Sequence, residues 1–267
     1  MTPPAETVLR ATRDGAVLVL TLDGAATRNS LALSLYAPVQ EALAEAARDP
    51  AIRAVVLTGA GGFFCSGGNI QSLQASAEGT MDEARARTDR LHAMIRALRD
   101  CPLPVIAAVE GGAAGAGVSL ALACDLIVAA EDALFTVAYV RVGLSPDGGA
   151  TWFLRGALPH QMAMELCVLG QPVGAARLAG FGVVNRVVPP GTARESALAL
   201  ARQIALGPAR AIRAIKGEIA AAPLNPLDAH LDMEAEAMNR ARFGPEAAEG
   251  LRAFLEKRPP DFSQEDP

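Results

Sequence analysis

The chain is predicted to be an α/β protein on three observations. Short runs of β-branched and small apolar residues alternate with longer segments in which apolar residues recur at helical spacing. The runs are apolar almost without interruption, which is typical of parallel strands buried on both faces of a sheet. Two of the runs lead directly into glycine-rich turns. The length of 267 residues is enough for one large domain, or for one domain with an appendage.

The strands and helices are predicted in an alternating order along the first part of the chain. The predicted strands cover residues 17–22, 54–58, 105–109, 126–129 and 183–188. The predicted helices cover residues 31–48, 81–99 and 115–123. Ser30 is expected to cap the first of these helices, and Pro102 and Pro104 follow the second. The third helix is so apolar that it is expected to be buried.

After the last predicted strand the pattern becomes entirely helical. Helical spacing covers residues 193–206, 209–221, 227–242 and 245–256, and a polar tail follows Pro259. We therefore predict two parts, an α/β core in residues 1–192 and a helical C-terminal subdomain in residues 193–267. The C-terminal helices are rich in alanine and leucine, so a single copy would expose considerable apolar surface.

The composition excludes several classes of function. With a net charge of −5, a pI near 5.3 and no basic run, the chain is a poor candidate for nonspecific nucleic-acid binding. Its four cysteines form no C-x-x-C pair and its three histidines lie far apart, which argues against a metal site and for reduced thiols. Residues 1–14 lack the apolar core of a signal peptide, and no run is long enough to span a membrane. The prediction is a cytoplasmic protein without nucleic-acid, membrane or metal partners.

The two glycine-rich turns are the most informative feature for function. The first, residues 64–70, reads Phe-Cys-Ser-Gly-Gly-Asn-Ile, and the second, residues 110–117, reads Glu-Gly-Gly-Ala-Ala-Gly-Ala-Gly. A strand that ends in small residues before a helix leaves backbone N–H groups free and lets a ligand approach closely. Two such turns can direct their N–H groups at one oxygen, as in the stabilisation of an oxyanion. The alternative is that the glycines only allow tight packing of helix against sheet.

Other functions of glycine-rich turns are less compatible with the residues. The dinucleotide fingerprint G-x-G-x-x-G fails, because Leu120 stands where a third glycine is needed after Gly115 and Gly117. The phosphate-binding motif G-x-x-x-x-G-K-[ST] and the hydrolase motif G-x-S-x-G are absent from the sequence. Activation of a carbonyl group is therefore the leading hypothesis from the residues alone.

Four segments, in order along nearly the whole chain, resemble those of the crotonase superfamily, which contains the enoyl-CoA hydratases and isomerases. Residues 26–31 (Ala-Thr-Arg-Asn-Ser-Leu) resemble its first acyl-CoA contact loop. Residues 64–70 resemble its F-x-[AS]-G-x-D-[IL] segment, with Asn69 in place of Asp, and residues 110–125 resemble its second oxyanion segment. Residues 254–258 (Phe-Leu-Glu-Lys-Arg) resemble the F-x-E-K-R segment that closes over the nucleotide of coenzyme A.

The resemblance implies a crotonase-like spiral of ββα units followed by a helical C-terminal trimerisation subdomain. It also implies an acyl-CoA thioester as substrate, no separate cofactor, and a homotrimer or a hexamer built as a dimer of trimers. The backbone N–H groups of Gly68 and Ala116 are implied to hold the thioester oxygen. The other residues implied to line the coenzyme A and acyl site are Arg28, Ser66, Ile70, Ser119, Tyr139 and Lys257, the last from the same or a neighbouring subunit.

Some of these residues also have a plain structural interpretation. On the residues alone, Arg28 and Lys257 are equally compatible with solvated surface side chains, and Tyr139 with a packed aromatic ring. Trp152, the only tryptophan, is expected in the core or in the wall of an acyl pocket. These alternatives stay open at the level of the sequence.

Two positions depart from the hydratases of this family. Those enzymes use two glutamates to place a water molecule and transfer its protons, and here the two positions hold Ser119 and Tyr139. Neither side chain is a good base near neutral pH, since the ordinary pKa of tyrosine is about 10. Hydration by the two-glutamate mechanism is therefore not expected.

One acid remains in the corresponding stretch. Asp147 lies in the segment Gly-Leu-Ser-Pro-Asp-Gly-Gly-Ala-Thr-Trp at residues 143–152. This segment is similar to that of the ring-epoxide isomerases of phenylacetyl-CoA degradation, which also lack both glutamates. A single carboxylate is enough for a 1,3-proton shift, since it can take a proton from one carbon and return it to another. The alternative is that Asp147 only caps the helix that follows it.

The leading prediction is a cofactor-independent acyl-CoA isomerase with Asp147 as its acid–base group. One alternative is an enoyl-CoA hydratase with a non-standard base. The other is a non-catalytic acyl-CoA-binding protein that kept the fold and lost the acids. The residues do not specify the acyl group, so fatty acid metabolism and phenylacetate degradation are both compatible with them.

Overall fold

The computed structural model describes residues 6–76 and 78–262, and it confirms the predicted α/β class. Its strands are β1 (Val8–Asp14), β2 (Val17–Asp23), β3 (Ala54–Gly59), β4 (Val105–Val109), β5 (Gly112–Ala114), β6 (Leu126–Ala130), β7 (Leu134–Thr136), β8 (Val173–Gly174) and β9 (Arg186–Val188). Its helices are α1 (Leu33–Arg48), α2 (Ile70–Ser76), α3 (Met81–Arg99), α4 (Ala116–Leu122), α5 (Ala150–Ala157), α6 (His160–Leu169), α7 (Ala175–Ala179), α8 (Ala193–Ala205), α9 (Ala209–Ala221), α10 (Leu227–Arg242) and α11 (Pro245–Glu256).

The larger of two sheets has the strand order β1-β2-β3-β4-β6-β9. Only the β1–β2 pair is antiparallel, and the other neighbours run parallel, with Val55 of β3 opposite Val105 of β4. The smaller sheet has the order β5-β7-β8 and contains part of the second glycine-rich turn. Because the carboxyl ends of parallel neighbours meet at one edge, β3 and β4 deliver both glycine-rich turns to the same place.

The central strands β3, β4 and β6 of the larger sheet are buried on both faces, and successive side chains of a strand belong to opposite faces. In β3, Val55 and Leu57 belong to the core cluster that contains the apolar residues of α1 and α3. Ala54 and Val56 belong to a second cluster, which is completed by small residues of α8. Burial on two faces explains why the strand sequences are almost continuously apolar.

The beginning of α1 differs from the prediction. The helix begins at Leu33 rather than at residue 31, and its N-cap is Ala32, without a side-chain hydrogen bond, rather than Ser30. The reason is a long-range contact, because Leu31 forms a parallel bridge with Gly68 and its N–H donates to the Gly67 carbonyl oxygen at 2.7 Å. The residues before α1 are therefore part of the first glycine-rich turn's surroundings.

Two other predicted elements are shorter in the structure, and several observed elements were not predicted. The last strand of the larger sheet covers only Arg186–Val188, because the preceding residues form a turn in which Val183 N–H donates to the Leu178 carbonyl oxygen at 3.0 Å. The buried helix α4 is one residue shorter than predicted at each end. Strands β1, β5 and β8 and helices α6 and α7 were not predicted, and no bounds were predicted for α2 or for the helix after Asp147, which is α5.

Burial separates α8 from the helices that follow it. Helix α8 packs on the larger sheet, and five of its residues are buried. In the described residues, α9 and α10 contain no buried residue and α11 contains one, Ala253. The domain boundary at residue 193 stays a prediction, and the change in burial occurs after α8. No helix in residues 6–76 and 78–262 is long and apolar enough to cross a membrane.

Candidate active site

The two glycine-rich turns pack against each other at the carboxyl ends of β3 and β4. The N–H of Ala114 donates to the Cys65 carbonyl oxygen at 2.9 Å. A Cβ built on Gly67 would lie 2.5 Å from the Ala114 carbonyl oxygen and 2.9 Å from the Ala116 nitrogen, and Gly67 has φ +82°. A Cβ on Gly117 would collide with the Cys65 carbonyl group. Side chains at these positions would push the turns apart, so the glycines are needed for their approach.

This approach leaves two backbone donors at the contact between the turns. Ala116 is the first residue of α4, and the N–H groups of a helix's first turn have no partner within the helix. Gly68 follows Gly67, whose backbone abuts the Ala116 nitrogen. No acceptor in residues 6–76 and 78–262 takes a hydrogen bond from either N–H. The two donors predicted from the sequence therefore lie at the contact between the turns, and neither has an acceptor in the described residues.

A buried side chain joins the loop before α1 to the residues that lead into the first glycine-rich turn. Asn29 is fully buried, its Oδ1 accepts from Gly24 N–H at 2.8 Å, and its Nδ2 donates to the carbonyl oxygens of Ala60 and Phe63 at 2.9 and 2.6 Å. Both donors and the acceptor of the buried amide thus have partners. The loop and the residues that lead into the turn therefore form one hydrogen-bonded unit.

Arg28 and Ser66, both predicted to contact coenzyme A, meet in this unit. The Ser66 N–H donates to the Arg28 carbonyl oxygen at 2.9 Å, and the Ser66 hydroxyl donates to the Thr27 carbonyl oxygen at 3.0 Å. The exposed Arg28 guanidinium lies 5.5 Å from the centroid of the Phe63 ring. A cation–π contact of this kind orients a positive charge at the edge of the site.

Asp147 is held by Ser119 and Tyr139, the two residues that stand at the positions of the hydratase glutamates. The Tyr139 hydroxyl donates to Asp147 Oδ1 at 2.6 Å. The hydroxyl of the fully buried Ser119 donates to the Asp147 carbonyl oxygen at 2.9 Å. A Cβ on Gly115 would lie 3.9 Å from the Tyr139 ring carbon that carries the hydroxyl, so the tyrosine spans from the turn to the carboxylate.

The structure does not make Asp147 a helix cap. Helix α5 begins at Ala150, and its N-cap is Gly149, without a side-chain hydrogen bond. The partly buried carboxylate of Asp147 is instead bonded to Tyr139. The capping alternative from the sequence is therefore wrong for this carboxylate.

Two tyrosines experience the charge of Asp147, and they are the only tyrosines of the chain. Burial raises the pKa of Tyr139 far above its ordinary value, and the charge and hydrogen bond of Asp147 raise it further. Burial also raises the pKa of Tyr36 to about 12, with a smaller contribution from the Asp147 charge. Both phenols therefore stay protonated at neutral pH, and Tyr139 remains a donor.

Tyr36 and Arg87 are residues near the site that sequence reasoning missed. Tyr36 lies on α1 among core residues, and its helical spacing alone does not distinguish it from them. The charge of Arg87 on α3 partly opposes the rise in the pKa of Tyr36 that burial causes, and its guanidinium donates to the Ser72 carbonyl oxygen at 3.4 Å. Arg87 also lines a cleft of about 370 Å³ beside α2 and the start of α1. The scarcity of tyrosine was the one available signal for Tyr36.

The remaining predicted residues lie in different places. Ile70 begins α2 and is 61% exposed. Lys257 is the exposed C-cap of α11, and in the described chain no hydrogen bond or ion pair joins its side chain to the residues above. Trp152 is 51% exposed and meets Phe153 edge-on, so it is not a core residue.

Two other side-chain groups bear on the chemistry. Burial raises the pKa of the Cys65 thiol to about 12, so this cysteine of the first turn is a packed neutral group rather than a nucleophile. Within residues 6–76 and 78–262, no three His, Cys, Asp or Glu side chains are grouped so that they could hold a metal ion. The predicted absence of a metal and of a cofactor stays a prediction.

Known proteins are similar to this chain along nearly its whole length. The family model described as enoyl-CoA hydratase/isomerase matches residues 12–265. A probable enoyl-CoA hydratase of Rhodobacter capsulatus is 38% identical over 245 residues, which are 92% of this chain and 93% of that one. The 1,2-epoxyphenylacetyl-CoA isomerase of Escherichia coli is 36% identical over 248 residues, 92% of this chain and 95% of that one.

Solved structures show the same similarity. An enoyl-CoA hydratase from Polaromonas sp. JS666 superposes with a TM-score of 0.93 at 43% identity, covering 95% of this chain and 99% of that one. The crotonase-like fold that the resemblance implied is therefore confirmed. Because the family model and these relatives match it along nearly its entire length, the chain belongs to the enoyl-CoA hydratase/isomerase family of the crotonase superfamily.

Proposed function

We propose that the protein is an acyl-CoA isomerase in which Asp147 is the acid–base group and the N–H groups of Gly68 and Ala116 hold the thioester oxygen. One observation carries the proposal. Ser119 and Tyr139 stand where hydratases of the family are expected to carry glutamates, and both position Asp147: the Tyr139 hydroxyl donates to its carboxylate and the Ser119 hydroxyl to its backbone carbonyl oxygen. Among these three residues Asp147 is the one carboxylate, where a hydratase would have two glutamates.

The proposed reaction is a proton shift through an enolate. The thioester oxygen accepts hydrogen bonds from the two backbone N–H groups, and the Asp147 carboxylate removes a proton from one carbon of the acyl group. The electron pair of that C–H bond moves into the thioester, whose oxygen becomes an enolate. Asp147 then returns the proton to another carbon, and the double bond moves. Each backbone donor is expected to lower the barrier by about 3 kcal/mol.

Tyr139 is proposed to keep Asp147 in place during this transfer. Because the pKa of Tyr139 is raised far above its ordinary value, the phenol keeps its proton and donates to one carboxylate oxygen. The second oxygen is then the one directed at the substrate. The same arrangement suits a ring-epoxide substrate, where one acid can promote opening and expansion of the ring toward an oxepin.

Hydration is the second candidate function. It is favoured by the names of the relatives, since hydratase names outnumber the 1,2-epoxyphenylacetyl-CoA isomerase among them. It would require water to be activated by Asp147 or by another base, because Ser119 and Tyr139 are not carboxylates. A third candidate, an acyl-CoA-binding protein without activity, would bind the thioester and turn nothing over.

The test is a paired assay of the wild type and Asp147→Asn with 3-enoyl-CoA and 2-enoyl-CoA thioesters. Absorbance follows conjugation of the double bond, and mass follows addition of water. Loss of general acid–base catalysis is expected to reduce isomerisation by about 10²- to 10⁴-fold. Asp132→Asn, which removes an exposed carboxylate in the turn after β6, is the matched control and is expected to keep full activity.

Each other outcome has a definite meaning. Full isomerase activity in Asp147→Asn would contradict the proposed role of the carboxylate. Water addition by both proteins would make the enzyme a hydratase with its base elsewhere. If the wild type binds the thioesters tightly but converts neither them nor a ring-epoxide thioester, the non-catalytic function is correct.

We also propose that the protein is a homotrimer or a dimer of trimers in the cytoplasm. Helices α10 and α11 expose large apolar side chains, among them Phe254 and Leu255, which are 81% and 80% exposed in one copy. Surface of this kind is characteristic of a subunit interface. A neighbouring subunit would also explain how Lys257 reaches the nucleotide of coenzyme A, since its own chain does not bring it to the site.

Sedimentation tests this assembly. The wild type is expected to sediment as a trimer or hexamer, and Phe254→Asp is expected to shift it toward monomers, because a charge would be buried without a partner. Asp232→Asn, on an exposed position of α10, serves as the control and should leave the mass unchanged. A wild type that sediments only as a monomer at micromolar concentration would contradict the proposal.

A further inference from the structure

A second cleft lies at the opposite end of β3 from the candidate active site. It has a volume of about 760 Å³ and is formed by the end of α1, the residues before β3, and helices α9 and α11. Six arginines line it, together with three carboxylates. The arginines are Arg48, Arg53, Arg210, Arg213, Arg252 and Arg258. A strand of this length spans about 20 Å, so the cleft is well separated from the glycine-rich turns.

Three of these arginines have no carboxylate partner in the described part of the chain. The Arg48 Nε donates to the Ala44 carbonyl oxygen at 3.1 Å. Arg53 Nη1 donates only to carbonyl oxygens, the nearest being that of Phe262 at 3.0 Å. The Arg213 Nε is buried and has no hydrogen-bond partner among the residues described. Carbonyl oxygens satisfy hydrogen bonds but leave the permanent charge of a guanidinium uncompensated.

Two of the carboxylates in the cleft are already engaged. Glu249 binds the guanidinium groups of both Arg252 and Arg258, and these contacts lower its pKa strongly. Glu246 accepts the backbone N–H groups of Arg210 and Ala211 at 2.8 and 3.1 Å, where α9 begins. The positive charge of Arg48, Arg53 and Arg213 is therefore not balanced by these carboxylates. In a chain of net charge −5, this is a local concentration of the opposite sign.

We propose that this cleft is a second binding site, which takes a polyphosphate group. Guanidinium groups match phosphate oxygens in planar, paired hydrogen bonds, and such charge-assisted bonds are the strong ones. Several guanidinium groups around one cleft favour an anion with more than one phosphate. The buried Arg213 Nε would then donate to a ligand oxygen. The site is separate from the acyl-CoA site, and it does not depend on the reaction proposed above.

Calorimetry with sodium pyrophosphate tests the proposal on the full chain. The wild type is expected to bind saturably, with an affinity that falls as NaCl is raised, because the contact is between charges. Arg213→Gln and Arg48→Gln are each expected to weaken binding about tenfold or more, since each removes a charged donor. Arg186→Gln, at an exposed position of the edge strand β9, is the matched control and is expected to bind like the wild type.

A second probe, ADP, distinguishes a nucleoside polyphosphate from a free inorganic polyphosphate as the ligand. If ADP binds with the same dependence on Arg48 and Arg213, the site accepts nucleoside polyphosphates, whereas binding of pyrophosphate alone assigns it to the free anion. Lack of saturable binding of both probes by the wild type, or wild-type affinity in both arginine variants, would overturn the proposal. Arg48 is exposed, so its variant decides the matter if Arg213→Gln does not fold. Asp147→Asn is expected to bind pyrophosphate like the wild type, whatever its isomerase activity.

Discussion

The two ends of β3 present different kinds of atoms. At the carboxyl end, the backbone N–H groups of Gly68 and Ala116, two residues with little or no side chain, have no acceptor in the described residues. At the amino end, long arginine side chains surround a wide cleft. Backbone dipoles act over a short range and are held in place by the fold, whereas side-chain charges act over longer distances and are screened by salt. The first arrangement suits charge that develops on one atom, and the second suits a ligand that already carries charge.

Gly67→Ala is expected to have the largest effect, because it breaks the arrangement at the carboxyl end. The new Cβ would lie 2.5 Å from the Ala114 carbonyl oxygen at a backbone φ of +82°. We expect a loss of more than about 2 kcal/mol in the free energy of unfolding, and a fall in kcat of at least about 100-fold as the donors separate. Urea unfolding and the isomerisation assay measure the two effects.

Gly62→Ala is the control for this variant. Gly62 has φ +74°, but a Cβ there meets no atom within 4 Å. It is expected to cost about 1 kcal/mol through backbone strain alone and to leave kcat unchanged. Equal behaviour of the two variants would show that the approach of the turns is not what the glycine provides.

Tyr139→Phe is expected to have an intermediate effect. The phenol holds one carboxylate oxygen of Asp147 at 2.6 Å, so its removal leaves the carboxylate free to turn away from the substrate. We expect kcat at neutral pH to fall by about tenfold, as measured in the isomerisation assay. Tyr36→Phe, in which the described residues show no hydrogen bond to Asp147 to be lost, should keep the wild-type kcat. An unchanged kcat in Tyr139→Phe would leave Tyr139 with a packing role only.

Glu246→Gln, in the cleft at the amino end of β3, is expected to have the smallest effect. It should lower the stability of the protein and raise its affinity for pyrophosphate. The carboxylate accepts two N–H groups at the positive end of α9, so its neutralisation should cost about 0.5–1 kcal/mol of stability. The same change removes a negative charge from the cleft and should tighten pyrophosphate binding a few-fold. Thermal unfolding and calorimetry measure the two changes, with the exposed Glu41→Gln as control. If binding weakens instead, the cleft does not take an anion.

The elements with strong local periodicity were predicted with their observed bounds. Helix α3, strand β4 and helices α9, α10 and α11 begin and end where the spacing of apolar residues indicates. The beginning of α1 was wrong, because Leu31 is held by Gly67 and Gly68, and no local pattern encodes that partner. Strands β5 and β7, with three residues each, are too short to show any period.

The site was predicted from motifs rather than from periodicity. Gly68 and Ala116 lie at the contact between the two turns, and Ser119, Tyr139 and Asp147 form one hydrogen-bonded group. The sequence did not reveal that Tyr139 donates to Asp147, because a tyrosine that binds a carboxylate and a tyrosine packed in the core cannot be distinguished by residue type. Tyr36 was missed for the same reason, and the arginines of the second cleft come from distant segments that only the fold brings together.

The hydrogen bonds around Asp147 constrain how this chemistry can change during evolution. Tyr139→Glu, a single step toward the two-glutamate arrangement, would replace a donor with a second negative charge beside Asp147. On the proposed mechanism such a variant would lose isomerisation without gaining hydration, since the two-glutamate mechanism would also need a change at Ser119. A conversion between the two mechanisms therefore requires positions 119 and 139 to change together.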